Sequence, residues 1–146
     1  MKKIIAITAF ILFGGVAIAQ DAEKKVPVPP TVREAFNCHY PQINLVTWDF
    51  DEVNYSASFK SDGKAMTLLF DEYGAIVEVK NEIKLFELPL DVNHLLSKEY
   101  SDWRIGKATH IDASGTAYYE AVVEKEEETM VLVFNQHGGL LIKMLF

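Results

Sequence analysis

Cysteine is nearly absent: Cys38 stands alone among 146 residues. One thiol closes no internal disulfide, so stability has to come from a packed core. The expected place for Cys38 is a buried position on a helix, where a free thiol packs as a small apolar group. Histidine is sparse, and His39, His94, His110 and His137 share no metal-ligand spacing. His39 adjoins Cys38, but neighbours on a helix point about 100° apart, so the two are not a nucleophile and its base. There is no G-x-S-x-G elbow, no glycine-rich phosphate loop and no zinc signature. These absences leave no catalytic, cofactor or metal site to nominate, and an enzyme is the reading the residues support least.

Positive charge is also short. Fourteen Lys and Arg stand against 21 Asp and Glu, a formal charge of −7. Loss of Lys2 and Lys3 would make it −9. With no basic cluster, such a chain is repelled by nucleic-acid phosphates and anionic lipid, and a basic protein surface suits it better. The start of the chain explains why those lysines would go. Met1-Lys2-Lys3 precedes an apolar run over 4–18, and Ala17-Ile18-Ala19 offers the small residues a signal peptidase reads. The run is short for a membrane span of about 20 residues. We expect a signal peptide over 1–19, cut after Ala19, followed by an extended, unpacked leader over 20–30 ending in Val26-Pro27-Val28-Pro29-Pro30.

What remains happens twice. Thr31-Val32-Arg33-Glu34 has the spacing of a capping box, Val32, Phe36 and Tyr40 follow at helical spacing, and Pro41 stops the helix. Val92, Leu96 and Tyr100 repeat that face sixty residues later. Alternating strands follow: Tyr55-Ser56-Ala57-Ser58-Phe59-Lys60 matches Tyr119-Glu120-Ala121-Val122-Val123-Glu124, and the stretch 65–70 matches 129–134, both at an offset of 64. The offset implies a few extra residues near 112–116 in the second unit.

The repeat decides how the acidic Phe70-Asp71-Glu72-Tyr73-Gly74 should be read. Its second copy is Phe134-Asn135-Gln136-His137-Gly138, in which both acids are gone. What both copies keep is an Asx residue and a closing glycine, which are hairpin requirements. A calcium loop would need oxygens at alternate positions and a distant bidentate Glu, which neither this stretch nor Asp49-Phe50-Asp51 supplies. The acidic run Glu124-Lys125-Glu126-Glu127-Glu128 takes the place of Lys60 to Lys64 and reads as a solvated hairpin tip, with a knob for a basic partner as the sharper alternative.

The pattern predicts an α+β fold: tandem helix-plus-four-strand repeats, over 31–86 and 87–146, forming one curved antiparallel sheet with two helices on one face. Tyr55, Ala57 and Phe59 should face the helices, as should Tyr119, Ala121 and Val123. The other face carries Ser56, Ser58, Tyr118 and Val122. These four, with Trp103 as a possible aromatic anchor, are the candidate partner-binding residues. Tyr118→Ala is expected to weaken binding with little loss of stability.

The chain resembles the exported PepSY-like proteins, described as similar to beta-lactamase inhibitor protein. The resemblance rests on Ala35-Phe36 through Tyr40-Pro41, Trp48, Tyr55 to Phe59, Asp62-Gly63, Phe70-Asp71 to Gly74 and the second copy from Val92 to Gly138. It implies two modules side by side, helices on the convex face, a concave binding surface and a Gram-negative source; no family binding residue maps onto this chain. The function expected is a periplasmic or secreted protein-binding module, inhibitor-like and without catalytic activity. Its partner would be another envelope protein, not nucleic acid and, after signal cleavage, not membrane. The alternative is a small-ligand or cation carrier using a cleft between the repeats.

Overall fold

The computed structural model describes residues 26–146. The expected signal peptide and the leader as far as residue 25 lie outside the described residues. Helix α1 spans Pro30–His39 and is followed by strands β1 (Thr47–Phe50), β2 (Tyr55–Ser61), β3 (Lys64–Phe70) and β4 (Ile76–Ile83). Helix α2 spans Leu90–Glu99 and is followed by β5 (Arg104–Ala113), β6 (Thr116–Lys125), β7 (Glu128–Asn135) and β8 (Leu140–Leu145). The strands pair in chain order, each antiparallel to the next, in one eight-stranded sheet. The two repeats therefore join through the β4–β5 ladder, from Glu78↔Ala113 to Ile83↔Ala108. The extra residues of the second unit lengthen β5, which makes that ladder possible.

Both helices lie on one face. Val32 and Phe36 of α1 are buried with Ala57, Phe59, Leu68 and Phe70, and Val92 and Leu96 of α2 with Ala108, Ala121, Val123, Leu132 and Phe134. The period-two pattern predicted this face correctly because the strands alternate across it outside their bulges. Even the irregularities repeat: a bulge falls at Leu69/Phe70 and again at Val133/Phe134.

Three local expectations fail. The capping box does not form. Pro29 is the cap and Pro30 the first helical residue, with no side-chain cap bond, because a proline there gives up an N–H that would have had no helical partner. Val28 is buried and Val26 packs beside it, so the end of the leader belongs to the core. Cys38 is exposed, because two positions past buried Phe36 brings it round to the solvent side.

The two pentapeptides form the β3–β4 and β7–β8 turns. Asp71 Oδ1 accepts from the backbone N–H of Tyr73 (3.0 Å) and Ala75 (2.8 Å), and Asn135 Oδ1 accepts from His137 and Gly139 (2.9 Å each). Only an acceptor oxygen is needed, so Asn serves as well as Asp. The closing glycines do a second job. Gly74 and Gly138 sit at φ +85° and +81°, and a Cβ on them would come within 2.9 Å of the Thr31 carbonyl and 2.6 Å of Asp91 Cβ. Each turn is thus pressed against the first turn of its own helix. Gly138→Ala should cost about 2–3 kcal/mol, combining left-handed strain with the displaced helix end. Gly115→Ala, at φ +82° with open space around it, should cost only about 1 kcal/mol. Chemical denaturation of the two variants measures the difference.

Candidate functional site on the open face of the sheet

Among the described residues, neither helix contributes to the sheet's second face. Its buried cluster is made of strand residues alone: Ile111, Ala113, Tyr118, Val131 and Val133, flanked by Val122, Ile142 and Met144. The strand registers set these side chains in rows. One row runs Ser58–Thr67–Lys80–Ile111–Tyr118 and the next Glu82–Thr109–Glu120–Val133–Ile142. The apolar half of the face thus belongs to the second repeat, and the hydroxyl-rich half to the first, where Ser58 and Thr67 share a 3.1 Å hydrogen bond.

Charge sits where the halves meet. Glu78, Lys80, Thr109 and Glu120 are all buried, at 4–8% exposure. Lys80 Nζ is 3.3 Å from Glu78 Oε1. Burial pushes both carboxyls above the usual range. Lys80 pulls both back down, and Lys107 also lowers Glu120. Burying charge in this way is costly, and it places a charge-bearing centre between the apolar and the hydroxyl-rich halves of the face. Chemically, such a surface can take an apolar side chain on its Val131–Val133 side and a hydrogen-bonding or charged group at its centre. Nothing in the arrangement pairs a nucleophile with a base.

The sequence-derived candidates divide. Ser56, Ser58, Tyr118 and Val122 all lie on this face, but the serines stand four strands from Tyr118. Tyr118 is 7% exposed and part of the cluster. Tyr118→Ala would open a cavity, so a variant with binding lost and stability kept is no longer expected there; side chains from neighbouring strands cover this face even though no helix does. Trp103 packs on the helix side against Tyr100, with Lys125 over its ring at 6.0 Å, and does not reach the open face. Asp102 pairs with that same Lys125 and Arg104 with Glu124, which leaves Glu126 to Glu128 exposed at the tip. The sequence reading missed Glu78, Lys80 and Thr109. For the first two the signal was the alternation of Glu78, Lys80 and Glu82 with Val79, Asn81 and Ile83.

A further feature is an apolar cleft of about 590 Å³ at the end of the first repeat. Ile43, Leu45, Phe59, Ala65 and Met66 line it, with Lys60 beside them.

No protein-family model and no curated protein matches the chain. Solved structures do. A protein from Bacteroides eggerthii, provisionally described as periplasmic, superposes with a TM-score of 0.73 at 22% identity, covering 81% of this chain and 88% of that one. A DUF2874 family protein from Bacteroides uniformis gives 0.71 at 21% identity, covering 80% and 88%. A BLIP-like protein from Bacteroides fragilis gives 0.65 at 21% identity, covering 84% and 89%. At these identities the likeness is one of fold. It supports the beta-lactamase-inhibitor-like half of the sequence resemblance; the PepSY half finds no counterpart among these structures. Among the described residues, no helix is long and apolar enough to cross a membrane.

Proposed function

We propose that this chain is exported to the periplasm and works there as a non-catalytic, inhibitor-like protein-binding module. The observation that carries the reading is the sheet face that no helix covers, where the apolar cluster around Ile111 and Val131 borders the buried Glu78–Lys80 pair. Protein interfaces combine an apolar centre with a few placed polar groups in this way. The signal-peptide pattern and the periplasmic description of the Bacteroides eggerthii neighbour support the location. The net acidity favours an envelope protein with a basic surface and disfavours nucleic acid and lipid headgroups.

The test uses the exported protein as bait in a Gram-negative periplasmic extract. A stoichiometric protein partner should be retained by the wild type and lost by Val122→Arg and by Ser58→Arg, both half-buried positions on the open face, while their melting temperatures stay within a few degrees of wild type. Retention by both variants would overturn the assignment of the face. A second reading, a small-ligand carrier, is favoured by the apolar cleft at Ile43 and Met66. That cleft lies within the first repeat, away from the β4–β5 joint. A small molecule raising the melting temperature, with no protein retained, would select it.

A further inference from the structure

Strand β1 stops short of the end of β2. Its ladder runs from Phe50↔Tyr55 to Thr47↔Ser58 without a bulge, and just past Phe50 the backbone N–H of Asp51 donates to the Asn54 carbonyl at 3.2 Å. Bonded and non-bonded pairs alternate along an antiparallel ladder. Ser56 and Ser58 therefore turn their N–H and C=O toward β1, as Asn54 does, and Lys60 turns its own the same way. The other side of β2 agrees. Asp62 and Gly63, at φ +51° and +78°, make a two-residue turn closed by Ser61↔Lys64, which leaves Lys60↔Ala65 a pair without mutual backbone bonds.

The same register would set Leu45 opposite Lys60, but the chain over 43–46 forms no strand, and Leu45 is 87% exposed. Where a longer β1 would lie there is instead the cleft of about 590 Å³, and the Lys60 backbone faces it. The cleft is floored by the outer edge of the first core, since Ile43, Phe59 and Met66 belong to both. Its volume falls in the range of small-ligand pockets, about 300–1,000 Å³. Lys60 is the one charged residue in its lining. The end of this hairpin carries Lys60 and Lys64 against Asp62, a net positive spot on a chain of formal charge −7.

We propose, building on the small-ligand reading of this cleft, that its ligand is an amphiphilic monocarboxylate: an apolar body in the cleft and a carboxylate at Lys60. The walls select the body, because Ile43, Leu45, Phe59, Ala65 and Met66 offer it apolar surface, and an unbranched Met adapts to its shape. Lys60 selects the head. Its backbone N–H and its exposed ammonium both donate, and a carboxylate accepts only. An alcohol of the same length fills the cleft but leaves the ammonium unmatched. An alkylammonium ion sets like charge against Lys60. A single cation in the lining suits a single negative charge.

Titration calorimetry of the exported protein with decanoate, decanol and decylammonium tests this. Decanoate should bind tightest, although the net charge of the protein alone would favour decylammonium. Lys60→Gln should weaken decanoate by roughly fivefold, the upper end for an exposed ion pair, and leave decanol unchanged. Leu45→Glu, at an exposed position that leaves the fold intact by circular dichroism, should weaken decanoate further by putting an anion in the cleft wall. Decanol binding as tightly as decanoate, with Lys60→Gln changing neither, overturns the carboxylate assignment and keeps an apolar ligand cleft. Decylammonium binding tightest overturns it as well. If none of the three binds, the small-ligand reading falls with it.

Discussion

Lys80→Met is expected to destabilise the protein by about 3–5 kcal/mol at neutral pH, the usual cost of removing one partner from a buried charge pair. Lys80 is 7% exposed on β4, and both Glu78 and Glu120 feel its charge. Methionine fills a similar volume, so lost packing contributes little. What the variant leaves is two buried carboxylates, Glu78 without its cation and Glu120 with only Lys107 to lower it. The pH dependence follows from the direction of their shifts. Burial already raises both folded-state carboxyls above their unfolded values, and losing Lys80 raises them further. An acid raised in the folded state is a liability above its folded pKa, and that liability disappears as pH falls through the shifted range to below the unfolded value. The deficit of Lys80→Met should therefore be largest at neutral pH and shrink on acidification. Adding Glu78→Gln should recover part of it, since one buried charge is then gone. Urea titrations across pH measure all three effects. A deficit that is the same at every pH would mean that Lys80 contributes only bulk, and that the open face holds no electrostatic centre.

The fold was readable because its information is repeated. Val32, Phe36 and Tyr40 recur as Val92, Leu96 and Tyr100, and the strand alternation recurs at 64, so each copy checks the other. The Asp71-to-Asn135 change alone separated a turn acceptor from a metal ligand, and the hydrogen bonds agree. The open-face site was harder to read, for three separate reasons. Alternation says which face a residue takes, but not whether neighbouring strands bury it, so Tyr118 was placed correctly and expected to be accessible. The cluster of Glu78, Lys80 and Glu120 forms across β4, β5 and β6, and its members are brought together only by the β4–β5 register, which no local pattern encodes. Trp103 precedes β5 and turns toward α2, so period two carries no instruction for it. The first helix's cap failed for a simpler reason: Thr31-Val32-Arg33-Glu34 matches a capping box, but the proline one residue earlier can begin the helix by itself.

Phe36→Ala should cost about 3–5 kcal/mol, the range for truncating a buried aromatic. Its ring is the hub of the first repeat, with centroids 5.1 Å from Phe59, 5.5 Å from Trp48 and 5.8 Å from Tyr40. The same place in the second repeat is held by Leu96, 1% exposed. A helix in this fold can therefore dock through a leucine, and Phe36→Leu should cost clearly less than Phe36→Ala. The protein carries its own reporters for a stronger test. Trp48 packs on α1 and Trp103 on α2, so each tryptophan reports one repeat. Because the repeats share one sheet through six β4–β5 residue pairs, damage at Phe36 should be felt by both. Fluorescence of a Trp48→Phe background, which follows Trp103 alone, should then show the Phe36→Ala transition shifted to lower denaturant by the same amount as backbone circular dichroism. A Trp103 signal that keeps its wild-type midpoint while α1 melts would mean that the β4–β5 ladder joins two independently folding halves, and that the open face can be broken across its charged centre without unfolding the second repeat.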